Sequence, residues 1–131
     1  MENSNPSKPV LWTSYIMSGL VILFMLMDSI MKFVKPPEVI EGTLALGFTE
    51  DHLVTIGSLG LASTLLYIFP RTAVLGAILL TGYFGGAMAT HIRLNNPLFT
   101  HTLFTVYLAI FMWGGLWLRN KKLRELFPVV K

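Results

Sequence analysis

Three histidines and one carboxylate are the side chains of this sequence best suited to chemistry. His52, His91 and His101 are its only histidines, and Asp28 is the one acid lodged inside a long apolar stretch. Imidazole titrates near neutral pH, so beside a carboxylate it can pass a proton in either direction or donate a hydrogen bond to a carbonyl. Lys32 follows Asp28 at i, i+4, which puts ammonium and carboxylate on one helix face. Tyr83, Ala87 and His91 recur at the same step, with Thr90 and Arg93 beside them. As a metal site the set is weakly specified, because the His and Asp positions lack any short spacing such as His-x-x-x-His, and no metal is expected. The complete absence of cysteine removes disulfide exchange, thiolate metal sites, iron–sulfur clusters and covalently attached haem. Nucleotide, phosphate and flavin motifs are also absent from the sequence.

These residues need elements to gather them, and the composition says which kind. Hydrophobic residues make up 53% of the 131 positions and charged residues 13%, about half the charge of a soluble domain. A chain of this length holds about four spans of roughly 20 residues with short connections. The expected spans are about 10–34, 52–69, 72–93 and 97–118. The first is longer than a secretory h-region, and Lys35-Pro36-Pro37 after it does not resemble a cleavage site. Those prolines break the helix, and the moderately apolar segment 37–47 is too short to cross, so it reads as an interfacial helix stopped by Gly47. Thr49 is the expected cap of the second span, with Glu50 and Asp51 in its first turn. Pro70-Arg71-Thr72 is a tight break that folds the third span back beside the second, and Asn96 and Pro97 open the fourth. The expected fold is all-α: one domain over 1–131, an integral membrane antiparallel four-helix bundle with a short interfacial helix between spans one and two.

Orientation follows from the cations. Lys8, Arg71, Arg119, Lys121, Lys122, Arg124 and Lys131 fall on one side, and Lys32, Lys35 and Arg93 on the other, which places both termini in the cytoplasm. Trp12, Tyr15, Tyr67, Trp113 and Trp117 fall near the same interface, where amphipathic rings prefer to sit. This topology accounts for the formal charge of +3 without nucleic acid as a partner. It also brings Asp28, Lys32, His52, His91 and His101 to the outer leaflet. On the first span the Asp28–Lys32 face runs back through Met25, Val21, Ser18 and Ser14, and is expected to point inward. Gly82, Gly86 and Thr90 form a small-residue stripe expected to let a neighbouring backbone approach closely. Each residue has a plainer reading: Asp28 as a span-end acid paired with Lys32, His52 and His101 as interfacial residues, Arg93 as a solvated charge or lipid-headgroup contact.

The segment Gly82-Tyr83-Phe84-Gly85-Gly86-Ala87-Met88-Ala89-Thr90-His91-Ile92-Arg93, with Pro70-Arg71-Thr72 ahead of it, resembles the DoxX-like family of small four-span bacterial membrane proteins. The resemblance is strongest over this third span and extends more loosely over about residues 12–118. It implies a four-helix bundle in the bacterial inner membrane, with the glycine-rich third span and the residues matching His91 and Arg93 as signature. The family name derives from a small subunit associated with thiosulfate-to-quinone electron transfer, and most members have no assigned activity. Without cysteine, any sulfur chemistry would fall to a partner.

Two functions of different classes follow as expectations. In the first, an outer-leaflet cavity binds a lipophilic quinone- or isoprenoid-like molecule, with quinone the candidate cofactor. Asp28 and His91 are the proton-handling, candidate catalytic pair; Lys32 and Arg93 orient a polar head; Tyr83, Thr90, His52 and His101 complete the binding set. As an enzyme the chain would be a membrane oxidoreductase or an acid/base isomerase. In the second, it is a non-enzymatic accessory or assembly subunit of a larger membrane complex. Its partners are membrane lipid and a lipophilic small molecule in the first case, and a membrane protein or a second copy in the other.

Overall fold

The computed structural model describes residues 7–95 and 103–130. Among these residues there are six helices and no strand: α1 (Lys8–Val34), α2 (Pro37–Ala45), α3 (His52–Ile68), α4 (Ala73–Arg93), α5 (Leu103–Arg119) and α6 (Lys121–Leu126). Two of them, α1 and α4, are long and apolar enough to cross a membrane, and α3 and α5 are shorter apolar helices. The expected cap and start of the fourth span, Asn96 and Pro97, lie outside the described residues.

Proline and glycine set most of the boundaries. A proline stands in the first turn of both α1 and α2, where its missing N–H costs no hydrogen bond. Lys35 ends α1 in the left-handed conformation (φ 58°), its N–H bonded back to the Met31 carbonyl, and Gly47 ends the α2 region at φ 90°. The start of α3 differs from the expected arrangement. Asp51 occupies the cap position and makes no side-chain cap bond, while the Thr49 N–H donates to His52 Nδ1 at 3.1 Å. The imidazole reaches back to satisfy the backbone, so Thr49 is the donor and not the cap. Between α3 and α4 the Thr72 hydroxyl donates to the Leu66 carbonyl at 2.7 Å, closing the turn. Helix α6 follows Asn120, whose side chain accepts from the Leu123 N–H at 3.1 Å.

The four longer helices pack in a closed ring, α1 against α3 and α5, and α4 against α3 and α5. Helix α1 buries three serines together with two apolar side chains and exposes an apolar stripe. Ser14, Ser18, Val21, Met25 and Ser29 are buried, while Trp12, Ile16, Leu20, Leu23, Met27, Ile30 and Val34 form an exposed stripe along the opposite side. The expected inward face therefore holds from Ser14 to Met25, and Ser29 takes the next buried position, leaving Asp28 and Lys32 at the edge of the interface.

One buried chain of hydrogen bonds joins three helices. An arginine only donates, so Arg119 Nη1 donates to Ser18 Oγ at 2.7 Å, Ser18 passes a bond to Tyr67 Oη at 2.8 Å, and Tyr67 donates to the Met112 carbonyl at 2.6 Å. Two glycines bring the backbones close enough for this. A Cβ on Gly76 would lie 2.6 Å from Tyr67 Cα, and one on Gly115 would lie 2.8 Å from the Ser14 carbonyl oxygen. By contrast, a Cβ on Gly82, Gly85 or Gly86 would meet nothing within 4 Å. Among the described residues the small-residue stripe of α4 thus does not carry a close helix approach, correcting the expectation, and the close contacts fall instead at Gly57 and Gly60 of α3, Gly76 and the α5 glycines.

Two stability measurements test this. Gly76→Ala should destabilise by on the order of 1–3 kcal/mol through backbone overpacking, whereas Gly85→Ala should be neutral or stabilising by up to about 1 kcal/mol through helix propensity. Thermal unfolding in detergent reads both, and a Gly76→Ala protein as stable as wild type would contradict the packing described. Tyr67→Phe strands the Ser18 and Met112 partners and should cost about 1–3 kcal/mol, visible as a lower unfolding midpoint.

Candidate functional site

One end of the ring contains a cavity of about 540 Å³. Late α1, early α3, late α4 and early α5 all contribute to it, so neighbouring helices run in opposite directions around its walls. Its apolar wall includes Phe24, Met25, Phe84, Phe104 and Leu108. Its polar residues are Asp28, Lys32, Thr43, Thr90, His91 and Thr105. The α2 region forms part of the enclosure through Thr43, Leu46 and Phe48.

The geometry explains how the cavity arises. Helices α3 and α4 are pressed together near their connecting turn, where Gly76 meets Tyr67, and the two helices contribute Ile56, Leu59, Gly82 and Gly86 to the cavity further along. Where larger side chains would fill that space, Gly82 and Gly86 leave the backbone itself as the wall. Glycine here opens room and does not close it.

Asp28 is the centre of the polar part. Lys32 Nζ donates to Asp28 Oδ2 at 2.5 Å, and Tyr83 Oη lies 3.4 Å from the same oxygen. The lysine side chain is 17% exposed and the aspartate 32%, so the pair sits at the border between packed protein and open cavity. A carboxylate at such a depth requires a cation, and a matched pair contributes nearly zero net charge. The Thr43 hydroxyl donates to the Val39 carbonyl and the Thr90 hydroxyl to the Gly86 carbonyl, so both present oxygen lone pairs to anything nearby. The arrangement can therefore bind a neutral polar group through Lys32 donors and carboxylate or hydroxyl acceptors.

Of the residues singled out by sequence, Asp28, Lys32, Tyr83, Thr90 and His91 line this cavity. His101 lies outside the described residues. His52 is elsewhere: it is exposed, holds the Thr49 N–H, and packs edge-on against Phe48 with ring centroids 5.8 Å apart. Arg93 is also outside the lining. Its Nη2 donates to the Leu46 carbonyl at 3.1 Å, which ties the end of α4 to the end of the α2 region. Phe48, Thr43 and the aromatic wall were not singled out by sequence; nothing in their own spacing points to a cavity, which exists only between elements. Among the described residues no group of three or more His, Asp or Glu could hold a metal ion.

Arg93 thus positions the cavity's cover through a backbone carbonyl. Arg93→Gln should speed amide exchange at Gly47 and Phe48 roughly tenfold, the equivalent of one lost hydrogen bond of about 1.4 kcal/mol. Exchange read by mass spectrometry should show no matching change at Tyr67; equal protection in both proteins would refute the tether.

No curated protein and no solved structure matches this chain. The model of the DoxX-like family matches residues 16–115, a stretch that includes the ring from α1 into α5 and every described cavity residue, so the chain belongs to the DoxX-like family.

Proposed function

We propose that this protein is an integral membrane four-helix bundle that binds a lipophilic molecule with a neutral polar end, of quinone or isoprenoid type. Family membership and the two long apolar helices support a membrane protein. The exposed apolar stripe of α1 opposite its buried serines fits a hydrocarbon surround better than water, because in water that stripe would be the inside. Helices α1, α3, α4 and α5 are the spans, and the cation-rich end carrying both termini faces the cytoplasm of a bacterial inner membrane.

The observation that carries the ligand reading is the cavity itself: a paired Asp28–Lys32 and His91 line one space walled largely by aromatic and aliphatic side chains. Its volume lies within the range of small-molecule sites. A neutral ion pair favours a carbonyl or hydroxyl over a free acid or phosphate. Asp28 and His91 are the groups able to exchange a proton with that end, and Lys32 would orient it by donating a hydrogen bond. The tail would leave past Gly82 and Gly86, which belong both to the cavity lining and to the exposed face of α4. Tyr83 and Thr90 line the same wall.

A second reading rests on those same glycines. Among the described residues nothing lies within 4 Å of a Cβ built on Gly82, Gly85 or Gly86, so another protein's helix could pack there, and the protein would then be an accessory subunit of a larger complex. One experiment separates the two. Small molecules released from protein purified in mild detergent are identified by mass spectrometry for wild type, His91→Ala, Asp28→Asn and Gly82→Leu. The ligand reading expects a quinone or isoprenoid in wild type, reduced about tenfold by loss of either polar group, and excluded by Gly82→Leu. Phospholipid alone in all four samples would discard it, and crosslinking from positions 82 and 86 to another protein would establish the second reading.

A further inference from the structure

The opposite end of the ring contains a second cavity, of about 720 Å³, lined in part by Tyr15, Gly19, Arg119 and Asn120. We propose that it binds an anionic phospholipid, with Arg119 holding the phosphate. This goes beyond the ligand of the first cavity and rests only on the bilayer placement.

Arg119 carries a charge that no acid among the described residues matches. All three described bonds of Arg119 leave from Nη1 and end on neutral acceptors: the Ser14 carbonyl at 3.2 Å, Ser18 Oγ at 2.7 Å and the Gly115 carbonyl at 3.0 Å. Among the described residues the one ion pair is Asp28–Lys32, in the other cavity. Arg119 is half-buried and also lies over the Tyr15 ring, 5.2 Å from its centroid. The guanidinium is thus fixed by contacts that hold its position and do not neutralise it. A planar fork held this way matches a phosphate's paired oxygens, which a flexible surface lysine does not.

The surroundings fit a lipid better than a free ion. Leu11, Ile22, Ile68 and Leu116 line the same cavity and offer an acyl chain an apolar path. Lys8, Arg71, Lys121 and Lys122 stand at this end, with Glu125 as the one described acid there. A predominantly positive end of this kind raises the local concentration of anionic headgroups. The site is chemically the reverse of the first cavity, where the cation is already paired.

Gly19 makes the test clean, because it lines this cavity and a Cβ built on it meets nothing within 4 Å. A leucine there starts from open space and occupies the cavity, and Gly82→Leu does the same in the first cavity. Thermal unfolding is measured in neutral-detergent micelles doped with phosphatidylglycerol, with phosphatidylcholine of the same chain length, or with inorganic phosphate in the buffer. Phosphatidylglycerol should raise the midpoint by roughly 4–8 °C in wild type and in Gly82→Leu. It should leave Gly19→Leu unmoved, and Arg119→Lys should keep less than half of the shift. An equal shift with phosphatidylcholine, a full shift with inorganic phosphate alone, or an undiminished shift in Gly19→Leu would each overturn the proposal.

Discussion

The hydroxyl of Tyr67 is the constraint on which the rest of this structure depends. It sits on α3, receives a bond from Ser18 of α1 and gives one to the Met112 carbonyl of α5, and its direction is fixed because that carbonyl only accepts and takes the tyrosine's one proton. In an apolar surround such groups have no water to fall back on, so the three helices must meet there in one arrangement. The glycines at 76 and 115 are the steric condition for that meeting. The cavity with Asp28 and His91 lies at the other end of the ring, where Gly82 and Gly86 leave space in its wall.

The two ends differ in electrostatic character as much as in packing. At the first cavity, charge is neutralised locally by Asp28 and Lys32. At the other, Arg119 is immobilised by carbonyls and a hydroxyl that leave its charge intact. A neutral polar ligand suits one and an anion the other, so a single small fold presents two chemically distinct surfaces to whatever surrounds it.

Much of α1 and the core of the candidate site could be read from spacing. The face Ser14, Ser18, Val21, Met25 and the i, i+4 step from Asp28 to Lys32 are properties of one helix, and helical period reports them directly. The α2 limits were legible from Pro36, Pro37 and Gly47, since those residues restrict their own backbone. What failed depends on distances between elements. Gly82 and Gly86 look like a packing stripe by spacing, yet only the neighbouring helix decides whether a glycine is pressed or open. His52 and Arg93 share the right end of the fold with the cavity, but local backbone partners, the Thr49 N–H and the Leu46 carbonyl, hold them away from its lining. Helix α6 was missed although Asn120 stands three residues before Leu123, because a six-residue element is too short to show a period.

The contact of Gly76 with the Tyr67 backbone also makes the α3–α4 hairpin a lever. From that fulcrum to His91 the helix extends about 22 Å, so a tilt of about 5° swings His91 by about 2 Å. Because Arg93 grips the Leu46 carbonyl just beyond, the same swing drags the cover with it. The angle at which α4 leaves α3, fixed where one glycine meets one tyrosine, thus sets how far His91 stands from the opposite wall of the cavity.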